Sequence, residues 1–261
     1  MRFALNHIAI PSLSVEAFFV LARELGVTEV EIRNDTPDIV GMVPANLVRT
    51  AAESAGVSII SINAVYPFNL WSSDLPAKAE HLADYAQDCG ARGLVMCPLN
   101  DGRSIADDDL VAALSAMQPI LAARNLIGLV EPLGFPSSSL RTKRKAVEAI
   151  ARIAGESTYK LVHDTFHHHL AGEVEYFPEQ TGLVHISGVE DPSVSVDGML
   201  DPHRVLVGQW DRLDNVGQIR ALRAAGYTGP FSFEPFAPQV QALPDPRAAL
   251  RQSIDYISAH L

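Results

Sequence analysis

"LARELGVTEVEIR", residues 21–33, is a short amphipathic run closed by glycine and followed at once by an alternating, β-rich run. Leu21, Ala22 and Leu25 share one helical face with Phe18, a turn earlier. Gly26 can adopt the left-handed conformation that ends a helix. The same joint recurs in "AAESAGVSIISIN" (51–63), "YAQDCGARGLVMC" (85–97), "AARNLIGLVEP" (122–132), "ARIAGESTYKLVHD" (151–164), "FPEQTGLVHIS" (177–187) and "LRAAGYTGPFSFEP" (222–235). The punctuating residues are Gly26, Gly56, Gly90, Asn125, Gly155, Gly182 and Gly226, spaced 27 to 44 residues apart. That is the length of a βα unit. With "RFALNHIAI" (2–10) ahead of them, the joints predict eight strands.

The strands "GLVMC" (93–97) and "IGLV" (127–130) are apolar on both faces, as parallel strands covered on both sides are. Leu110, Leu114, Met117 and Leu121 line one face of the fourth helix, where Pro119 is expected to introduce a kink. Eight alternating βα units in 261 residues predict the α/β class, as one closed (β/α)8 TIM barrel domain over residues 1–261. A doubly wound open sheet ranks lower, because "PSLSVEA" (11–17), after the first strand, lacks a glycine phosphate loop. The long irregular stretch 190–214 falls between the seventh strand and its helix, where barrels place functional loops.

Composition narrows the function. The chain is 48% hydrophobic and 20% charged, with 31 acidic and 20 basic residues and a net charge of −11. That balance argues against a nucleic-acid partner, which needs an excess of cations. There is no apolar run of 18 residues, so no membrane span is expected. Cys89 and Cys97 form neither a CxxC nor a disulfide framework, and the expected location is the reducing cytoplasm. The oligomeric state is left open, a homo-oligomer included.

The catalytic face of such a barrel is the C-terminal end of its strands. The fifth strand ends in Glu131, the sixth in Asp164, the seventh in His185 and the eighth in Glu234. Three carboxylates and an imidazole on successive strands, about 4.8 Å apart, can converge on one divalent cation. Parity supports this, since Val162 and Asp164, Leu183 and His185, and Ser232 and Glu234 share faces. Pro132 and Pro235 stop their strands just past Glu131 and Glu234, which leaves both glutamates at the rim. His163 is expected to face the helices as a core histidine with a backbone partner, and His168 and His169 to be surface or supporting residues.

These residues resemble the xylose isomerase-like TIM barrels, the sugar phosphate isomerase/epimerase group, with the strongest likeness to its inosose (2-keto-myo-inositol) isomerase branch. The likeness covers nearly the whole chain. It rests on "EVEIRND" (29–35), "SINAVYPFN" (61–69), "LVEPLGFP" (129–136), "DTFHHHLAG" (164–172), "VHISGVED" (184–191), "DPHRVLVGQ" (201–209) and "FSFEPF" (231–236). The resemblance implies one divalent metal (Mn, Co, Mg or Zn) on Glu131, Asp164, His185 and Glu234, with Glu131 and Glu234 doubling as catalytic acid and base. It also implies substrate contacts from His167 and Arg204. Asn63 is a further hydroxyl partner. Arg33 is either a substrate contact or a barrel-interior ion pair with Glu31. Two positions depart from the pattern, Trp210 after "GQ" and His7 after Asn6, and each is expected to reshape the substrate pocket. The implied activity moves a carbonyl between adjacent carbons of a small polyhydroxy ketone through an enediolate. Rivals are an epimerase, a hydroxypyruvate-type isomerase or an inosose dehydratase on the same barrel. More distant are an endonuclease and a non-catalytic sugar-binding barrel.

Overall fold

Eight parallel strands close on themselves in sequence order: β1 (Phe3–Asn6), β2 (Glu29–Arg33), β3 (Ser58–Val65), β4 (Gly93–Met96), β5 (Ile127–Val130), β6 (Tyr159–Asp164), β7 (Thr181–Ile186) and β8 (Phe231–Phe233). The last strand pairs with the first, Leu5 opposite Phe233. This computed structural model describes residues 1–36, 42–72 and 74–261. Between the strands run α1 (Val15–Glu24), α2 (Ala45–Ala55), α3 (Leu75–Cys89), α4 (Asp107–Ala122), α5 (Lys143–Arg152), α6 (Thr165–Ala171) and α7 (Asn215–Ala224). After β8 come α8 (Pro238–Gln241) and α9 (Pro246–Ala259). Among the described residues no helix is long and apolar enough to cross a membrane.

Strand parity divides the core in two. Ala4, Ile60, Val95, Leu129, Val162 and Leu183 pack together as a plug inside the barrel. Alternate residues such as Leu5, Val30, Val130, Val184, Phe231 and Phe233 face outward and join Phe18, Phe19, Leu114 and Ile219 of the helices. Burying each large side chain of this outer layer stabilises by about 1.5–3 kcal/mol. The inner plug matters for function. Two residues beyond Leu129, Val162 and Leu183, on the same face, stand Glu131, Asp164 and His185. The apolar plug is thus a floor, and the polar groups stand directly on it.

Five of the seven expected joints close in the left-handed conformation: Gly26, Gly56, Gly90, Asn125 and Gly226. The other two differ. Ala154, rather than Gly155, takes positive φ. Gly182 lies inside β7, preceded by loop rather than helix, because α6 has already ended at Gly172 (φ 64°). A Cβ on Gly182 would stand 2.8 Å from Lys160 Cβ, so glycine there serves close strand packing. Pro119 lies within α4, which runs only three residues further, to Ala122.

The helix layer holds histidines that the sequence placed only approximately. His163 does face outward, but its Nε2 meets the Gln218 side chain of α7 at 2.9 Å rather than a backbone group. Of the two readings of His168, surface or supporting, the surface one does not hold: it is buried, with Nδ1 2.7 Å from Lys143 Nζ. His7 turns away from the barrel mouth, stacks on Phe18 and meets the Leu13 carbonyl at 2.9 Å. Burial pushes His7 down to about 4. Burial and the neighbouring Lys143 ammonium do the same to His168, again to about 4. Between these values and the usual 6.5 the folded chain binds fewer protons than the unfolded chain. Stability is therefore present above pH 6.5 and lost as pH falls from there toward 4. The melting temperature is expected to drop by several degrees over that window. A scan of His7→Gln across the same pH range should show a shallower slope than the parent.

Candidate metal centre

Glu131, Asp164, His185 and Glu234 are all buried, and each offers a ligand atom lying within 4.8 Å of the others. The strand ends bring this about. Glu131 prolongs the β4–β5 ladder by one bond, its N–H reaching the Met96 carbonyl at 3.0 Å, before Pro132 ends it. Glu234 does the same against Ile186 at 2.9 Å, before Pro235. His185 pairs with Asp164 on one side and Ser232 on the other. Asp164 ends β6 and caps α6, its Oδ1 accepting the N–H groups of Phe166 (2.7 Å) and His167 (3.1 Å). Its other oxygen, Oδ2, faces the site, where it accepts from Arg204 Nη2.

The imidazole is the hub. His185 Nδ1 lies 2.9 Å from Glu131 Oε1, 3.1 Å from Glu234 Oε2 and 4.0 Å from Asp164 Oδ2. Its Nε2 points the other way, 3.1 Å from Glu31 Oε1. Burial works to lower the His185 pKa, but Glu234, Glu31 and Glu131 together hold it well above the usual histidine value. Burial alone would raise the Glu234 carboxyl; the His185 ring, with Arg204 and Arg33, holds it down at about 2.

Two arginines complete the electrostatics. Arg204 is fully buried and reaches in from the β7–α7 loop, giving Nη2 to Asp164 Oδ2 (2.6 Å) and Glu234 Oε2 (3.0 Å). Its guanidinium lies between Phe166 (4.9 Å) and Phe236 (4.7 Å), and its Nε reaches Ser187. Arg33 gives Nη1 to Glu234 Oε1 (3.0 Å) and forks onto Asp35 (2.7 Å). The Arg33–Glu31 ion pair, one of the two readings of Arg33, does not form. Glu31 lies deeper in the barrel and is taken up by Ser61, Asn63, Ser232 and His185. Asn63 is correspondingly buried, with its amide 2.8 Å from Glu31 Oε2.

The donor set suits a divalent cation. Four carboxylates, Glu31, Glu131, Asp164 and Glu234, face two guanidiniums in the buried centre. With the imidazole neutral, as metal ligation requires, two negative charges are left over among the described residues of this centre, which one divalent ion would offset. An unbalanced buried charge costs several kcal/mol. Oxygen and imidazole ligands with open positions suit Mn²⁺, Co²⁺, Mg²⁺ or Zn²⁺.

His167 follows Asp164 by three residues, on the first turn of α6. Its ring is wedged between Phe135 (5.0 Å) and Phe166 (5.2 Å), and its buried Nδ1 has no partner among the described residues. The loop after β5 lies flush against this turn, since a Cβ on Gly134 would come within 2.2 Å of the His167 carbonyl. Cys97, at the end of β4, gives its thiol to Glu131 Oε2 at 3.3 Å. Burial and the adjacent Glu131 raise that thiol's pKa well above the usual value, so it is a donor here.

The family model described as xylose isomerase-like TIM barrel matches residues 19–260. This chain belongs to the xylose isomerase-like TIM barrel family. A solved xylose isomerase domain-containing protein from Salmonella typhimurium LT2 is 37% identical, with a TM-score of 0.92 over 99% of this chain and 97% of that one. The IolI protein, solved with a zinc atom bound, is 20% identical, with a TM-score of 0.88 over 100% of this chain and 99% of that one. A D-allulose 3-epimerase from Methylomonas sp. is 15% identical, with a TM-score of 0.77 over 100% and 98%. No curated protein matches the chain's sequence.

Of the two positions that depart from the xylose isomerase-like pattern, neither points into the centre. His7 is held outward by Leu13, and Trp210 is 67% exposed on the far side of the β7–α7 loop, lining a groove with Tyr256 of α9. Sequence reasoning gave neither Glu31 nor Cys97 a place in this centre, Glu31 entering only as an alternative partner for Arg33. The signal for Glu31 was available: Ser61, Asn63 and Ser232 are small polar residues on inward-facing positions, which a buried carboxylate requires as donors.

Proposed function

We propose that this protein is a metal-dependent isomerase of a small polyhydroxy ketone or cyclitol ketone, with 2-keto-myo-inositol as the leading substrate. The observation that carries this reading is the convergence of Glu131 and Glu234 on one side of His185, each a carboxylate at a strand end. A divalent ion held by Glu131, Asp164, His185 and Glu234 would act as a Lewis acid toward the substrate carbonyl and the neighbouring hydroxyl. The chain's own groups supply the proton traffic. One glutamate takes the proton from the hydroxyl-bearing carbon beside the carbonyl, and an enediolate forms. A proton then returns to the former carbonyl carbon, and the carbonyl has moved by one position.

The surroundings make the two glutamates unequal. Glu234 accepts from Asn6, Arg33 and Arg204 and abuts His185. Among the described residues, Glu131 has only the weak Cys97 thiol besides His185 as a side-chain partner. Charged donors stabilise the ionised form and weaken a base. Glu131 is therefore assigned as the group that removes the proton. His167, whose Nδ1 has no partner among the described residues, would hold a substrate oxygen, and Arg204 and Arg33 would orient the carboxylates and the substrate's hydroxyls.

The test incubates the protein with 2-keto-myo-inositol and Mn²⁺ or Zn²⁺ in D2O and follows the products by NMR. A shifted carbonyl with deuterium at the adjacent carbon is the expected outcome. Loss of water to a dione would make the enzyme a dehydratase, and inversion with the carbonyl in place an epimerase. If no polyhydroxy ketone exchanges a proton, the enzymatic reading fails.

A further inference from the structure

We infer that Glu31 is the positioning residue that fixes His185 for metal binding: it holds the ring by Nε2–H and leaves the Nδ1 lone pair facing the cation site. The inference rests on the metal reading proposed above and concerns a residue outside the ligand set. Glu31 is fully buried in the barrel interior, on β2, across the barrel from β7. Its two oxygens lie 3.1 and 3.2 Å from His185 Nε2. Three neutral donors hold it there: Ser61 Oγ (2.5 Å), Asn63 Nδ2 (2.8 Å) and Ser232 Oγ.

The chemistry follows from the shape of imidazole. A neutral ring carries one N–H and one lone pair, on different nitrogens. Nδ1 faces three carboxylates, the natural position for a shared cation. The other tautomer would place N–H on Nδ1, donate it to Glu131 or Glu234, and remove the imidazole from the donor set. A carboxylate at Nε2 can only accept a hydrogen bond, so once a cation occupies the Nδ1 side it keeps the N–H on Nε2 and the lone pair on Nδ1. The arrangement also explains why Ser61, Asn63 and Ser232 lie in the barrel interior. They satisfy Glu31, and none of them contributes to the four-residue ligand group.

Glu31→Gln tests this. One end of a glutamine would present N–H to serines that are already donors, and the grip on Nε2 would loosen. Affinity for Zn²⁺, measured by competition with a chromophoric chelator, is expected to fall roughly 10–100-fold. The metal-free variant should keep a cooperative melt. In ¹⁵N-labelled, zinc-loaded parent protein, His185 should show metal on Nδ1 and a hydrogen-bonded proton on Nε2. If Glu31→Gln does not fold, Ser232→Ala removes one of the carboxylate's supports and should weaken Zn²⁺ binding by a smaller factor. A parent protein that takes up no divalent cation would overturn the functional reading and this one with it. A parent that binds Zn²⁺ while Glu31→Gln, or Ser232→Ala in its place, binds equally well would overturn this inference alone. Metal found on Nε2 would do the same.

Discussion

Stripping the protein with EDTA is expected to lower turnover by roughly 10²–10³-fold or more, and adding back Mn²⁺, Co²⁺ or Zn²⁺ to restore it. The loss is large because the enediolate's charge would then face Glu131, Asp164 and Glu234 with nothing between. Removal should also cost stability. At a hundredfold excess over its dissociation constant, a ligand specific to the folded state adds about 2.7 kcal/mol, or roughly 5–10 °C in melting temperature for a chain of this size. Paired measurements of ketone turnover and melting temperature, before and after chelation, check both halves. Turnover that survives complete removal of metal, confirmed by elemental analysis, would remove the ion from the chemistry.

The glutamates should separate under isosteric substitution. Glu131→Gln is expected to cut kcat by roughly 10²–10⁴-fold, as the loss of a general base does. Its effect on stability should be slight, because its protein partners are a thiol and an imidazole. Glu234→Gln should lose turnover as well and also melt lower, because Arg33 and Arg204 would each lose a buried carboxylate. Removing a charged acceptor of that kind costs about 1–3 kcal/mol. The measurements are kcat at saturating metal, metal content, and denaturant midpoints for both variants. Either variant turning over at the parent rate with full metal content would sink its role as acid or base.

The barrel could be read from the chain because its signals are local. A helix face, a closing residue and a strand all fall within a dozen residues, and the pattern repeats. Glu131, Asp164, His185 and Glu234 were legible because each ends a strand, and strand parity aims each one inward. The alternative Arg33–Glu31 pairing failed for the opposite reason. Two residues apart on one strand they look like natural partners, but alternate residues of a strand lie about 6.6 Å apart along it, so the two side chains stand at different depths. Glu31 meets a histidine 154 residues away, and Arg33 meets a glutamate 201 residues away. Such pairings arise only when the cylinder closes. His163 shows the same limit: its outward direction was evident from parity, but its partner Gln218 depended on how α7 packs.

Asp164 has one oxygen on the backbone of α6 and the other turned toward Arg204 and the cation site. The carboxylate is therefore a mechanical link as well as an electrostatic one. Its two oxygens tie the centre to the turn that carries His167: Arg204 lies at one and the backbone N–H groups of Phe166 and His167 at the other.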